Sequence, residues 1–236
     1  MSKKIKFLIV LQSMSYSLNS NFKGVKCCQI QEFKKLCNLN NIEYNIATYK
    51  GKLPIINIYK DEQNKNWVNN FLDNECCSST LIDIKNINED EYNAIIIPSF
   101  IDIYKELSET DNVLADKLLT FYENGKIIYT TGHSSYSLAL VFKTIEIEKN
   151  NKLLSWPFLG YDITGTSLNK FLEDKCFLEI DKSVEEVIVL KGANFIDLEN
   201  KESNKLVVEC RNVLTAYDED SFVSGLEKLI NKLNIN

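Results

Sequence analysis

The sequence predicts an α/β fold in which a doubly wound, mostly parallel sheet is sandwiched by helices. Short runs of isoleucine, valine and leucine recur along the chain, and segments with helical spacing of apolar residues separate them. Near-continuous apolar runs are typical of strands that are covered on both faces, as in a parallel sheet. Strands that alternate with helices in this way indicate a doubly wound sandwich.

Five apolar runs have the length and composition of strands. The first follows a basic start and resembles the hydrophobic region of a signal peptide, but it is short for that role, so we favour a strand. Secretion through a signal peptide is therefore not expected. The predicted strands are residues 5–11, 44–48, 94–98, 126–130 and 206–210.

Four further segments have apolar residues at three- and four-residue spacing and are predicted to be helices. Asn124-Gly125 provides a stop signal after the second of them. The segment from residue 51 to 87 is less regular, and we interpret it as an excursion before the third strand. The predicted helices are residues 25–38, 111–123, 134–142 and 221–233.

Length and charge limit the possible functions. The 236 residues contain three prolines and eight glycines, so no Pro/Gly-rich linker divides the chain, and we expect a single domain over residues 1–236. The net charge is −6 and no concentrated basic face is visible, which disfavours direct binding of nucleic acid. No apolar run reaches the roughly 18 residues of a membrane span, so direct membrane insertion is not expected.

The cysteines suggest neither a disulfide framework nor a zinc site. Their number is seven, two pairs are adjacent in sequence, and no Cys-x-x-Cys spacing occurs. With His133 as the single histidine, few metal ligands are available. We therefore expect reduced thiols in a cytoplasmic protein that has no metal and no cofactor.

One segment points to a site. The fourth predicted strand ends in TTGHSSYSL, where an apolar run stops at Gly132-His133 and a helical pattern begins at once. A sharp turn between a strand and a helix is where many α/β enzymes carry a nucleophile. Here the apex would be glycine, which has no side chain. The preceding strand ends in Pro98-Ser99-Phe100, at the same edge of the predicted sheet.

These motifs resemble the ThiJ/PfpI superfamily of glutamine amidotransferase-like proteins. The resemblance implies a flavodoxin-like, class I glutamine amidotransferase-like fold. Active members have a Cys-His-Gly elbow, a Gly-Gly oxyanion loop and a glutamate in the first helix, which together expose and control a thiolate. This chain departs at each part, and the pocket is expected to be vestigial. The corresponding residues are Gly132, His133 and Ser134 at the elbow, Ser99 and Phe100 in the loop, and Gln29 in the helix.

Further blocks resemble one family within that superfamily, the glutamine amidotransferase-like class 1 domain-containing protein 1 family. That family also has Gly-His at the elbow. One departure is Thr-Ala-Tyr-Asp at residues 215–218, where relatives tend to have Thr-Gly-Gln-Asn. The matching blocks, in order, are WVNNFLDNE, YNAIIIPS, TGHSSYSLA, SWPFLGYDITGTSLNKFLE, GANF and VVECRNVLTAYD.

The family resemblance implies a role without catalysis. Its members belong to FERRY, a five-subunit effector of an early-endosomal Rab GTPase that brings messenger RNA and ribosomes to endosomes. We therefore expect a cytoplasmic, peripheral early-endosomal protein whose partners are the protein subunits of such a complex. It would meet mRNA only indirectly, through the complex, and it would form a homo-oligomer.

Two alternatives remain open. The chain could be an active hydrolase or glyoxalase-like enzyme that uses Cys28 or Ser134 together with His133. It could also be a small-molecule sensor that binds without turnover. The aromatic residues Trp67, Trp156 and Phe158 could belong to the core or could anchor a partner, and core packing is the commoner role.

Overall fold

The computed structural model describes residues 4–13, 24–58, 62–76, 80–101, 103, 112–147, 151–173, 181–199, 201 and 206–234. The described chain contains a central seven-stranded sheet and three two-stranded pairs. The strands are β1 (Lys6–Val10), β2 (Val25–Lys26), β3 (Glu43–Thr48), β4 (Ile56–Asn57), β5 (Leu81–Asp83), β6 (Ala94–Ile97), β7 (Ile127–Thr131), β8 (Lys143–Ile147), β9 (Asn151–Ser155), β10 (Asp162–Ile163), β11 (Asn194–Phe195), β12 (Val207–Cys210) and β13 (Val213–Ala216).

The central sheet has the strand order β12-β13-β7-β6-β1-β3-β5. Every neighbouring pair is parallel except the antiparallel pair of β12 and β13. Strands β1, β6 and β7 are buried almost throughout, because helices cover both faces of the sheet. The predicted class, a mostly parallel sheet flanked by helices, is confirmed.

The first four predicted strands correspond to β1, β3, β6 and β7, within a residue or two at their ends. The fifth was predicted over residues 206–210 as a strand covered on both faces. That detail is wrong, because β12 is a half-buried edge strand in an antiparallel hairpin. The outer neighbour of β7 is β13, which was not predicted from the sequence.

Three of the four predicted helices form α-helices, and the fourth does not. The segment predicted as a helix over residues 134–142 instead forms a 3-10 helix, Gly132–Leu140. The irregular segment after β3 contains a regular helix and the edge strand β5. The α-helices are α1 (Cys27–Leu39), α2 (Glu62–Glu75), α3 (Val113–Glu123), α4 (Leu168–Glu173), α5 (Val184–Lys191) and α6 (Phe222–Asn234).

Local signals explain the limits of α5. Its first turn has a capping box, in which the Ser183 hydroxyl accepts from the Glu186 N–H and the Glu186 carboxylate accepts from the Ser183 N–H. Gly192 ends the helix in the left-handed conformation, with φ of 91°. The helix packs against the 3-10 segment that follows β7.

Helix α6 packs closely against β7 in the core of the protein. Tyr129 of β7 is fully buried, and its hydroxyl donates to the Phe222 carbonyl oxygen over 2.7 Å. Gly225, one turn further along α6, lies directly against the Tyr129 ring. A Cβ at this position would overlap the ring, so the glycine permits the close approach of α6 to β7.

Candidate functional site

The predicted elbow lies at the carboxyl end of β7. Gly132 follows the last residue of this strand, is buried, and has a φ of 53°. This left-handed conformation is easy for glycine and strained for other residues. The structure therefore has the sharp strand-to-helix turn that the sequence predicts, with glycine at its apex.

Ser99 occupies the space in front of the apex. A Cβ placed on Gly132 would lie 2.6 Å from the Ser99 Oγ and 3.5 Å from the Thr166 Oγ1. The His133 backbone N–H donates to the same Ser99 Oγ over 3.2 Å. One hydroxyl thus takes the place of an elbow side chain and also engages the amide that follows the apex.

Ser134 links the elbow to the end of β6. Its hydroxyl donates to the Pro98 carbonyl oxygen over 2.6 Å and accepts from the Phe100 N–H over 3.3 Å. Its hydroxyl therefore connects the elbow to the segment that follows β6. Because the hydroxyl proton is engaged by a carbonyl, Ser134 is poorly placed to act as a nucleophile.

The remaining elbow residues are also enclosed. His133 is 4% exposed and Phe100 is 3% exposed. The Thr130 and Ser135 hydroxyls form a hydrogen bond of 2.9 Å below the turn. The structure thus brings together five of the six predicted pocket positions, those from β6 and from the elbow.

Gln29, the sixth position, lies in the first turn of α1 and is 3% exposed. Among the residues that the structure describes, neither atom of its side-chain amide has a hydrogen-bond partner. Buried polar groups nearly always have a partner, so this amide is exceptional. No hydrogen bond joins it to the elbow, and it differs from a glutamate in carrying no charge.

Cys28, the thiol of the enzymatic alternative, is exposed at the second position of α1. Partial burial of the sulfur raises the pKa of Cys28, and this effect outweighs the Lys26 ammonium, which lowers it. Its thiolate fraction at neutral pH is therefore smaller than that of an ordinary cysteine. That is the opposite of what an activated thiol needs.

A loop after β10 covers the elbow. Gly165 approaches so closely that a Cβ there would lie 2.9 Å from the Gly132 carbonyl oxygen. The Thr164 N–H donates to the Thr215 Oγ1 over 2.9 Å, and the Ser167 and Tyr217 hydroxyls share a hydrogen bond of 2.9 Å. These residues were not predicted at the site, although the matching block SWPFLGYDITGTSLNKFLE contains three of them.

The segment Thr-Ala-Tyr-Asp also contributes to this enclosure. The Tyr217 hydroxyl lies beside the Ser167 hydroxyl. Burial raises the pKa of Tyr217 to about 12, so its hydroxyl remains protonated at neutral pH. Asp218 accepts from the Ser221 N–H over 2.9 Å at the start of α6. The departure from the family pattern at residues 215–218 therefore places an uncharged tyrosine beside Ser167, in the loop that covers the elbow.

The three aromatic residues lie largely within the protein. Phe158 is fully buried, and Trp156 packs against it while its indole N–H donates to the Leu138 carbonyl oxygen over 2.8 Å. Trp67 stacks on Phe71, with ring centroids 5.2 Å apart. These contacts identify the three residues as parts of the core and its margin.

The described residues contain neither a cluster of metal ligands nor a membrane-spanning helix. No three histidine, cysteine, aspartate or glutamate side chains in that part of the chain are grouped so that they could hold a metal ion. Among the helices that the structure describes, none is both long enough and apolar enough to cross a bilayer.

The parallel sheet and the elbow define the class of fold: it is a ThiJ/PfpI-like, class I glutamine amidotransferase-like fold. No protein-family model matches the chain. The sequence is 26% identical over 203 residues to glutamine amidotransferase-like class 1 domain-containing protein 1 of Bos taurus, covering 85% of this chain and 86% of that protein. The resemblance predicted from the sequence is confirmed by this similarity.

Solved structures support the same fold. Glyoxalase III from Candida albicans has a TM-score of 0.74 and 14% sequence identity, and the match covers 96% of each chain. A ThiJ/PfpI domain protein from Brachyspira murdochii has a TM-score of 0.61 and 14% identity, with 100% of this chain and 99% of that chain covered. Because one of these proteins is named as an enzyme, the fold alone does not decide whether this chain is catalytic.

Proposed function

We propose that this chain is a catalytically inactive member of the ThiJ/PfpI-like superfamily that acts as a protein-binding subunit. The observation that carries this proposal is the pair formed by Gly132 and Ser99. The apex has no side chain, and the Ser99 Oγ fills the space that a nucleophile would need. Covalent catalysis by the elbow mechanism requires a side chain at that point.

The substitute nucleophiles are weak candidates. The Ser134 hydroxyl donates to a backbone carbonyl, and the Cys28 thiol has a raised pKa. An activated serine needs a base that takes its proton, and an activated cysteine needs a lowered pKa. The observed contacts of Ser134 and the raised pKa of Cys28 are the opposite of these requirements, so they argue against a hydrolase or glyoxalase-like site built from these residues and His133.

The binding role is proposed to be that of a subunit in an early-endosomal Rab effector assembly of the FERRY type. The support for this is the similarity to glutamine amidotransferase-like class 1 domain-containing protein 1, over 85% of the chain. In this role the chain contacts protein subunits, and it reaches messenger RNA and ribosomes only through them. Its net charge of −6 agrees with indirect rather than direct contact with RNA.

Two experiments test the two parts of the proposal. Affinity purification of the endogenous protein, followed by mass spectrometry, should recover the subunits of such an assembly, and recovery without them would contradict the partner proposal. Separately, a fluorophosphonate probe should fail to label Ser134 in the native chain. Labelling of Ser134 that is lost in a His133→Ala variant would contradict catalytic inactivity, and Ser134→Ala would identify the labelled residue.

Gln29 favours a second candidate function, the sensing of a small molecule. A fully buried amide with two unpartnered atoms suits a ligand that offers both a donor and an acceptor, such as a carboxamide. A carboxamide that binds at this position should raise the Tm of the wild-type chain in a dose-dependent way. The same compounds should not shift the Tm of Gln29→Leu, and an equal shift in both proteins would remove this candidate.

A further inference from the structure

The turn between β12 and β13 carries the only arginine of the chain, Arg211. The residue is exposed, and its Cζ lies 5.0 Å from the centroid of the Tyr161 ring. Its Nη1 also donates to the Tyr161 hydroxyl over 3.3 Å, and that hydroxyl donates to the Tyr122 hydroxyl over 3.4 Å. Most of the N–H donors of the guanidinium remain available. A planar fork that a ring holds in place is well suited to bind a carboxylate through two hydrogen bonds.

Large aliphatic side chains are exposed around the turn that contains Tyr161. Leu159, two residues earlier, is 70% exposed and contacts the end of α5 at Gly192. The last turn of α5 exposes Leu190 by 70% and Val189 by 53%. Single exposed leucines are common on proteins, but a group of aliphatic side chains near an arginine is typical of an interface. We call this group the arginine–leucine surface, and its members are Leu159, Val189, Leu190, Lys191 and Arg211.

Lys191, the last residue of α5, adds a second cation to this surface. Its Nζ lies 4.2 Å from the centroid of the Phe142 ring, so this charge is also held by a ring. In the part of the chain that the structure describes, neither Lys191 nor Arg211 forms an ion pair with a carboxylate. One of these cations adjoins Leu190, and the other adjoins the turn that contains Leu159.

The carboxylates closest in sequence to the stacked arginine and tyrosine are engaged by other groups. Glu209 accepts from Lys232 and has Lys228 at 3.4 Å, and Asp162 accepts from the Asn194 amide over 3.0 Å. Charges that are more than about 8 Å apart are largely screened in physiological salt. The two cations of the surface, rather than the net charge of −6, therefore decide which partner it attracts.

We propose that the arginine–leucine surface binds a segment of another protein in which acidic residues flank aliphatic ones. The aliphatic side chains of the segment cover the three exposed side chains, and one of its carboxylates accepts two hydrogen bonds from Arg211. A second carboxylate lies near Lys191. A second copy of this chain fits less well, because two-fold pairing through one surface brings its cations toward each other. The inference rests on the proposed protein-binding role and names the surface for it.

Fluorescence anisotropy with the purified full chain tests the charge pattern. The probe is a fluorescein-labelled peptide in which glutamates flank a run of leucines, and a second peptide has lysines in place of the glutamates. The wild type should bind the glutamate peptide with a Kd of about 100 µM or lower, and the lysine peptide about tenfold more weakly. Arg211→Glu should weaken binding of the glutamate peptide about tenfold and strengthen binding of the lysine peptide. Lys85→Glu is the matched control, because Lys85 is an exposed cation beside β5, at the opposite edge of the sheet, and it should change neither affinity.

Affinity purification with the same variants separates this inference from the proposed function. Subunits that the wild type recovers should be lost with Arg211→Glu and retained with Lys85→Glu. If Arg211→Glu retains them, the surface proposal is wrong and the subunit role stands. If the wild type recovers no subunit, the subunit role fails, and the peptide measurement decides the surface proposal.

Three results of the purified chain would overturn the surface proposal. The first is a wild type that does not prefer the glutamate peptide. The second is an Arg211→Glu variant that binds both peptides equally more weakly, which would indicate a structural effect rather than a charge contact. The third is a dimer in sedimentation equilibrium that Arg211→Glu converts into a monomer, which would assign the surface to a second copy.

Discussion

The Ser99 Oγ lies 2.6 Å from the point at which a side chain on Gly132 would begin. The two residues come from the ends of neighbouring parallel strands, β6 and β7. Gly132 therefore has no side chain at the apex, and Ser99 lies where that side chain would begin. Restoring a nucleophile requires changes at both positions.

Gly132→Cys alone should lower the free energy of unfolding by about 2–6 kcal/mol. The left-handed backbone and the contact with Ser99 each contribute about 1–3 kcal/mol. In the double variant with Ser99→Gly the contact disappears, so the two effects should be non-additive by about 1–3 kcal/mol in urea denaturation. Gly125→Ala is the control for backbone strain alone, since Gly125 has a φ of 64° and nothing within 4 Å of a Cβ. Additive effects at Gly132 and Ser99 would contradict this account.

Gly225→Ala should destabilise the protein although it lies in α6. In an open helical position this change stabilises by about 1 kcal/mol, but here the methyl group overlaps the buried Tyr129 ring. We expect a net loss of about 2 kcal/mol or more, measured by thermal unfolding. In a Tyr129→Leu background the same change should be neutral or should stabilise the protein by up to about 1 kcal/mol. An equal loss in both backgrounds would show that the ring is not the cause.

The reactivity of Cys28 should be low and should depend on pH. Because its pKa is raised, less than about 3% of this thiol is ionised at pH 7, the fraction of an ordinary cysteine. Iodoacetamide should therefore label it more slowly in the native chain than in urea at the same pH, and the rate should rise as the pH passes 9. A Cys28→Ser variant shows how much of the iodoacetamide labelling comes from Cys28. Faster labelling in the native state would revive the enzymatic alternative.

Glu209 should contribute to the acid sensitivity of the protein. Its carboxylate on β12 accepts from Lys232 of α6, with Lys228 nearby at 3.4 Å, and these contacts lower its pKa. A lowered pKa in the folded state gives stability that is present above the unfolded value of about 4.3 and is lost as the pH falls through the folded value.

The Glu209 pair is half-exposed, so we expect a contribution of about 0.2–1 kcal/mol. Glu209→Gln should therefore lower the stability at pH 7 slightly and have little effect at pH 3. The difference between wild type and variant in urea denaturation across this range is the measurement. A constant difference over the whole range would exclude the ion pair as its source.

The sequence predicted the inner strands well because β1, β6 and β7 are apolar runs that are buried on both faces. Strand β13 was missed for a local reason. It follows β12 after a turn of two residues in which Arg211 has a φ of 56°, and Arg-Asn is not one of the usual hairpin turn pairs. The order of strands then depends on tertiary pairing, which periodicity does not reveal.

At the elbow, too, one part of the structure was predictable from the sequence and another part was not. Gly132, Ser99 and Ser134 were placed together correctly, because the carboxyl ends of parallel strands meet at one edge of a sheet. The segment after Gly132 was predicted as an α-helix and forms a 3-10 helix. Its serines bond to nearby groups, for example Ser137 to the Ser134 carbonyl oxygen, and such bonds compete with regular helical ones.

The position of β13 in the chain affects the order in which the strands of the central sheet can pair during folding. Val213 pairs with Ile128, so the outer neighbour of the elbow strand is synthesised after every other described strand of the central sheet. A nascent chain that stops before β13 would leave that side of β7 unpaired and the Thr164 N–H without the Thr215 hydroxyl. Contacts between distant parts of a sequence form slowly, so closure of this edge should be a late step of maturation.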